Sequence, residues 1–178
     1  SFCVSGPSIP RCPGQPVCAA VIADFSATST TVAPIPNAGT GQLVQTVTVT
    51  GPPADCRVTD VDLRLDLSHS VMSELDVSLS HASATGEMFT DICASAAGFQ
   101  QILDDDAATH VTACTSLSGA PATRRKTESG TGLNVFNGRP ANGVWTLQVL
   151  DDFLPGLGSG SINGWSVAGT CRYRQLVP

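Results

Sequence analysis

The sequence has little charge, few aromatic side chains and no long apolar run. Asp, Glu, Lys and Arg make up 13% of its 178 residues, and the aromatic residues are six Phe, two Trp and one Tyr. No stretch approaches the ~18 consecutive apolar residues of a membrane helix, so we expect no membrane span. The apolar content of 42% excludes a disordered chain, and the length suits one folded domain.

Positive charge is also scarce. Nine Lys and Arg stand against 15 Asp and Glu, for a formal net charge of −6. An acidic surface repels phosphate backbones, so we expect no nucleic-acid binding. The sequence shows neither an initiator Met nor a signal peptide, and we interpret it as a processed or excised piece of a longer protein.

Cysteine, in contrast, is abundant for this length. The seven cysteines are Cys3, Cys12, Cys18, Cys56, Cys93, Cys114 and Cys171. They lack the paired CxxC spacing of a zinc site, which favours disulfides in a secreted, extracellular protein. Connectivity does not follow from spacing, but we expect Cys12–Cys18 and Cys93–Cys114. Three bridges leave one cysteine over, either free and buried or available for an intermolecular disulfide.

Alternating apolar and polar residues predict β-strands. The pattern is clearest at 58–67, where one face is Val and Leu and the other is mainly Asp. Alternation of this kind buries one face of a strand against a second sheet. It recurs at 43–50, 75–80, 145–150 and 162–168, with Asn-Gly turns between strands. We therefore predict an all-β, jelly-roll-like β-sandwich of two antiparallel sheets.

The first residues differ from the rest. Residues 1–23 contain three cysteines and four prolines without a sustained period. We predict a cysteine- and proline-rich arm or linker at 1–23 and the β-sandwich domain at 24–178. A loop rich in Ser, Thr and Gly is expected at 115–132.

Several segments resemble, in order, the P domain of subtilisin-like proprotein convertases, also called the P/Homo B domain. They are 35–37 (IPN), 58–70 (VTDVDLRLDLSHS), 74–79 (ELDVSL), 104–107 (DDDA), 136–147 (FNGRPANGVWTL) and 160–167 (GSINGWSV). The NGxWxL segment followed by the closing tryptophan is the most specific part of this match. Two departures are Glu74, where the family usually has Asp, and Gly158, at a place that is often Asp.

The resemblance implies a jelly-roll domain without catalytic activity. In that family the domain packs against a peptidase domain of the same parent protein, a serine endopeptidase, and supports its folding and stability. Related bacterial copies are attached to other secreted proteins, including proteases of other classes. The alternative function is a jelly-roll binding module for carbohydrate or another extracellular ligand. A sugar site needs exposed aromatic side chains, for which Phe99 and Phe153 are the candidates.

Two acidic segments are candidate metal ligands. Asp104, Asp105 and Asp106 form one, and Asp151 and Asp152 form the other, each at a predicted strand end. Ca²⁺ prefers six to eight oxygen ligands, which carboxylates and loop carbonyls supply. We therefore predict a Ca²⁺ site if the fold brings these loops together. The alternative is that they are solvated turns or helix caps.

Catalytic motifs are missing from the sequence. It contains no GxSxG elbow, no subtilase nucleophile segment and no HExxH. We expect His69 to be a hydrogen-bonded structural residue, and His81 and His110 to be solvated loop residues. Trp145 and Trp165 are expected in the core. We predict that the basic cluster Arg124-Arg125-Lys126 lies in an exposed flexible loop. The alternatives are a protease cleavage site or a docking patch for an acidic partner.

Overall fold

A computed structural model of the chain describes residues 17–94, 96–119, 122–153 and 158–177. These residues form ten strands and three short 3₁₀ turns. The strands are β1 (Val17–Ser29), β2 (Ala33–Ile35), β3 (Leu43–Val49), β4 (Arg57–His69), β5 (Leu75–His81), β6 (Ala84–Thr90), β7 (Phe99–Leu103), β8 (Arg124–Arg125), β9 (Gly143–Asp151) and β10 (Gly160–Val177). The turns are Met72–Glu74, Val111–Ala113 and Asn134–Phe136. In the described part of the chain, no helix has the length and apolarity that a membrane span requires.

The strands form two sheets, which confirms the predicted all-β sandwich. The first sheet has the order β1-β10-β4-β7-β8, with β2 also paired to β10. The second has the order β3-β9-β5-β6. One pair departs from the predicted antiparallel arrangement, since β8 runs parallel to β7 over two residues.

The alternating stripes point into the space between the sheets. In β4, the side chains of Val61, Leu63, Leu65 and Leu67 are buried, and in β5 those of Leu75, Val77 and Leu79 are. Full burial of a side chain of this size stabilises the folded protein by roughly 1.5–3 kcal/mol relative to leaving that side chain exposed. The two sheets are therefore held together mainly by the residues that the period-2 pattern selects.

Both tryptophans lie in this core, as predicted. Trp145 of β9 and Trp165 of β10 are almost completely buried. The indole N–H of Trp165 donates to the side-chain oxygen of Gln45 in β3 at 2.9 Å, which links the two sheets. Core packing thus explains both tryptophans, and neither is accessible to a sugar.

The position of His81 differs from the one that the sequence predicts. We expected a solvated loop residue, but His81 ends β5 and is buried. Its ring stacks on Trp145, with the ring centroids 3.9 Å apart and the planes 4° from parallel. Its two ring nitrogens contact the carbonyl oxygens of Pro140 and Val144 at 2.7 and 2.9 Å. The sequence pattern missed it because a histidine at a strand end looks like a turn residue.

The predicted boundary after residue 23 is not seen. β1 begins at residue 17, where Val17 pairs with Val177. It then pairs with β10 along its whole length, as far as Ser29 opposite Trp165. Residues 17–23 therefore belong to the sandwich and not to an arm. Residues 1–16 of the predicted arm lie outside the described residues.

Disulfides join the described cysteines. The predicted Cys93–Cys114 bridge is confirmed, and Cys56 pairs with Cys171 across 115 residues. Cys18 is also disulfide-bonded. The predicted Cys12–Cys18 pair includes a residue outside the described part. All five described cysteines are engaged, so the expectation of an intermolecular disulfide through an odd cysteine finds no support among them.

The basic cluster is not the flexible loop that we expected. Arg124 and Arg125 form β8, at the edge of the first sheet. Arg124 bridges the carboxylates of Asp62 and Asp104, and buried Arg125 donates to the carbonyl oxygen of Thr115. Acidic neighbours on β4 and after β7 hold the cluster in the sheet.

Candidate functional site

One end of the sandwich collects three ionisable side chains from both sheets. His69 is the last residue of β4, and Asp151 is the last residue of β9. Glu74 closes the 3₁₀ turn that leads into β5. The pairing of Leu75 with Asp151 brings β5 and β9 together at this end. We call His69, Glu74 and Asp151 the inner cluster.

The inner cluster is buried. The side chains of His69 and Asp151 are 0% and 3% exposed, and Glu74 is also buried. The Nε2 atom of His69 lies 3.4 Å from Oδ2 of Asp151, an ion-pair distance without hydrogen-bond alignment. Nε2 of His69 and Oε2 of Glu74 form no hydrogen bond within the described part of the chain. Two buried polar atoms are thus left facing the interior of this cluster.

Glycine shapes the space beside the inner cluster. A Cβ atom at Gly158 would lie 2.3 Å from Oε2 of Glu74 and 2.7 Å from Cε1 of His69. A Cβ at Gly160 would lie 2.2 Å from the carbonyl oxygen of Ser68. Any larger residue at position 158 would displace Glu74. The Glu74 side chain at this place therefore requires glycine at position 158.

A second group of carboxylates lies nearby on the surface, and we call it the outer cluster. Its members are Asp76, Asp91 and Asp152, each of which offers one oxygen within 4.8 Å of the others. Partial burial, and then repulsion from Asp152 and Asp91, raise the pKa of Asp76. Burial, and then repulsion from Asp152 and Glu128, raise the pKa of Asp91. Ionised carboxylates in this cluster repel one another, and a bound cation would relieve that repulsion.

The carboxylates of Asp104 and Asp105 have partners within the protein, whereas Asp106 is exposed. Asp105 accepts from the hydroxyl of Thr127 at 2.7 Å and from the backbone N–H groups of Leu133 and Asn134 at 2.8 and 3.0 Å. Asp104 accepts from the N–H of Asp106 and from Arg124. These carboxylates organise the loop that carries the FNG segment, which is a structural role.

The two acidic segments do not come together. Arg124 lies 2.7 Å from both Asp62 and Asp104, so Asp104 sits beside Asp62. His69, which contacts Asp151, is seven residues further along β4 than Asp62. At about 3.3 Å per residue this separation is roughly 23 Å. A single Ca²⁺ site including both segments is therefore excluded, and calcium binding at either one stays a prediction.

His69 has the hydrogen-bonded role that we expected. Its Nδ1 lies 2.7 Å from the carbonyl oxygen of Val71, and its Nε2 faces Asp151. A histidine that activates a serine instead turns Nδ1 to the carboxylate and Nε2 to the hydroxyl. The ring is thus oriented for binding within the cluster and not for nucleophile activation.

Sequence reasoning found Asp151 and Asp152 as candidate ligands but missed their partners. The sequence marks Glu74 only as a departure from the P-domain pattern that it resembles, and no motif distinguishes Asp76 or Asp91. The sequence feature that points to this site is the Ser68-His69 pair at the end of one strand, followed by Glu74 just before the next strand. Only the strand pairing shows that β9 ends at the same place.

No protein-family model and no curated protein matches the sequence. Among solved structures, the chain is similar to a serine protease of Aeromonas sobria, with a TM-score of 0.54 and 15% identity over 89% of this chain and 28% of that protein. It also aligns, with a TM-score of 0.48 in each case, with the complex of that protease with the chaperone ORF2 (14% identity, 89% of this chain and 28% of that chain) and with FLHE (11%, 85% and 98%). The chain therefore has a β-sandwich fold that is similar to a part, 28%, of the A. sobria serine protease.

Proposed function

We propose that this chain is a non-catalytic accessory domain of an exported serine protease, and that it stabilises or positions the peptidase domain. The observation that carries the proposal is the fold similarity to 28% of the A. sobria serine protease. The ordered series of P-domain-like segments agrees with it, and a sandwich beside a peptidase domain is the arrangement that this family resemblance implies.

The chemistry of the described residues supports a structural role. The Asp104 and Asp105 carboxylates are engaged by Arg124, by hydroxyl and by backbone groups. His69 is buried, with Nδ1 against a carbonyl oxygen. Disulfides in the described part are typical of exported proteins. These features suit a stable module that supports another domain.

The alternative of a carbohydrate-binding module loses one of its two candidate residues. Phe99 is buried in the core and contacts Phe89, with the ring centroids 5.0 Å apart. Phe153 is 50% exposed and is the only exposed Phe or Trp among the described residues. A sugar platform stacks rings on aromatic faces, and a single phenylalanine gives a small platform. We therefore favour the accessory role.

The test uses the native polypeptide that contains this sequence, purified from its source. A fluorophosphonate probe, which labels active serine hydrolases, should label that polypeptide or a partner that purifies with it. In the same polypeptide, Trp145→Ala should lower the yield of active peptidase, because emptying this core position costs about 3–5 kcal/mol. Val44→Ala, on an exposed strand position, is the matched control and should leave the yield unchanged.

The isolated chain should not react with the probe. Labelling of the isolated chain itself would show that it is an enzyme. A native polypeptide that neither reacts with the probe nor purifies with a labelled partner would contradict the accessory role.

A further inference from the structure

We propose that the inner cluster of His69, Glu74 and Asp151 binds a divalent transition-metal ion, for which Zn²⁺ is the probe. This inference goes beyond the accessory function and does not depend on it. Each of the three side chains offers one ligand atom, and these atoms all lie within 4.8 Å of one another.

The distance between the ligand atoms of His69 and Asp151 agrees with a shared ion. Ligands bound to Zn²⁺ at about 2.0–2.1 Å in tetrahedral geometry lie about 3.3 Å apart. Nε2 of His69 and Oδ2 of Asp151 are 3.4 Å apart. This distance is long for a hydrogen bond between these groups, and the two atoms are not aligned as one. A small movement of Glu74 would bring its carboxylate into the same coordination sphere.

The protonation of His69 also suits a metal ligand. Nδ1 lies 2.7 Å from the carbonyl oxygen of Val71, and a carbonyl oxygen can only accept. The backbone N–H of Val71 also lies 3.3 Å from Nδ1, but the closer carbonyl oxygen favours the tautomer with the proton on Nδ1 and the lone pair on Nε2, the atom 3.4 Å from Oδ2 of Asp151. Metal-binding histidines commonly donate their other ring N–H to a backbone carbonyl, which fixes the ring in this way.

Burial supplies a second, independent argument. Nε2 of His69 and Oε2 of Glu74 are buried without a hydrogen-bond partner in the described residues. Leaving buried polar atoms unpaired is costly. One bound metal ion would give both atoms a partner.

The ligand types favour a transition metal over calcium. Imidazole with carboxylates suits Zn²⁺ and its neighbours, whereas Ca²⁺ takes six to eight oxygens. Three protein ligands leave a fourth position for water. Gly158 leaves space beside the His69 ligand atom, since a Cβ atom at position 158 would lie 3.0 Å from Nε2 of His69.

The position in the fold gives the site a structural consequence. His69 belongs to the first sheet, and Asp151 belongs to the second. A metal bound by both ties the sheets together at one end of the sandwich. Binding to the folded state only raises stability, with a Tm shift of about 5–11 °C at a free zinc concentration a hundredfold above Kd.

The experiment titrates the folded 178-residue chain, stripped of metal with EDTA and then dialysed, with Zn²⁺ in calorimetry and thermal melting. We expect one Zn²⁺ per chain and the Tm rise given above. Co²⁺ in place of Zn²⁺ should show the visible absorption of a four-coordinate site with nitrogen and oxygen ligands. Ca²⁺ at the same concentration should not displace Co²⁺.

Variants assign the site. Asp151→Asn and Glu74→Gln should each lower zinc affinity at least tenfold. Asp55→Asn, the same change on an exposed side chain outside both clusters, should leave it unchanged, as should His110→Gln on the surface. No saturable binding and no Tm shift in the wild-type chain would overturn the proposal without reference to any variant. Binding that is lost in His110→Gln, or retained in both cluster variants, would also overturn it.

Discussion

Arg124 neutralises part of the negative charge at the end of β4 that carries Asp60 and Asp62. Its side chain, 53% exposed, bridges Asp62 and Asp104. Burial is the main cause that raises the pKa values of Asp60 and Asp62, and repulsion from Asp104 adds to it. Hydrogen bonds to Asp104 and Asp62 raise the pKa of Arg124 itself. This arginine therefore offsets a repulsion that the fold creates by placing β7 beside β4.

Removing that charge should destabilise the protein in a pH-dependent way. We expect Arg124→Ala to lower the free energy of unfolding at pH 7 by about 1 kcal/mol, since the guanidinium is half exposed and solvent screens its attraction to the two carboxylates. A raised carboxyl pKa means that the folded state holds its proton more tightly than the unfolded state. The destabilisation is therefore full above the raised pKa values and fades as the pH falls toward about 3.9.

Urea unfolding at a series of pH values measures this effect. Lys126→Ala removes the same charge two residues away and should cost less at pH 7. A loss for Arg124→Ala that stays constant down to pH 3 would show that packing, and not charge, is responsible.

At the scale of the element, strand ends position the acidic groups. β9 ends in Asp151 and is followed by Asp152, so one strand end serves both clusters. Asp151 points into the buried inner cluster, while Asp152 faces Asp76 and Asp91 on the surface. Successive residues of a strand point to opposite faces, which explains this division.

Of the predicted calcium ligands, Asp152 lies in the outer cluster, and calcium binding can be tested there. If Ca²⁺ binds there, the Tm measured in millimolar CaCl₂ should exceed the Tm in EDTA, because the cation relieves repulsion among Asp76, Asp91 and Asp152. Asp152→Asn should abolish the difference, whereas Asp106→Asn should retain it, and MgCl₂ serves as the control cation. Equal Tm values in CaCl₂ and EDTA would contradict calcium binding at the outer cluster. These aspartates would then be solvated surface residues.

At the scale of the whole molecule, two disulfides close loops of very different length. Cys56–Cys171 spans 115 residues and Cys93–Cys114 spans 21. A longer loop loses more entropy when it is closed in the unfolded chain, so the longer bridge should stabilise more. The chain-entropy estimate is about 5 kcal/mol for the first and about 3 kcal/mol for the second.

We expect the double variant Cys56→Ala/Cys171→Ala to lose more stability than Cys93→Ala/Cys114→Ala. Urea unfolding of both under non-reducing conditions gives the two losses. Both bridges are replaced by alanine pairs, so the comparison is matched in chemistry. Equal losses, or the reverse order, would show that local packing outweighs loop entropy.

The sequence by itself determined the fold class and the core. The alternation along 58–67 and 145–150 reflects the pleat of a strand, which sends neighbouring side chains to opposite faces. It can therefore be recognised in the sequence without tertiary information. The tertiary structure decided which strand ends meet. His69, Glu74 and Asp151 come from three separate segments, and Asp104 lies far from them although both acidic segments follow strands. Register and strand order bring distant residues together, and these depend on pairing across the whole chain, which no local pattern records.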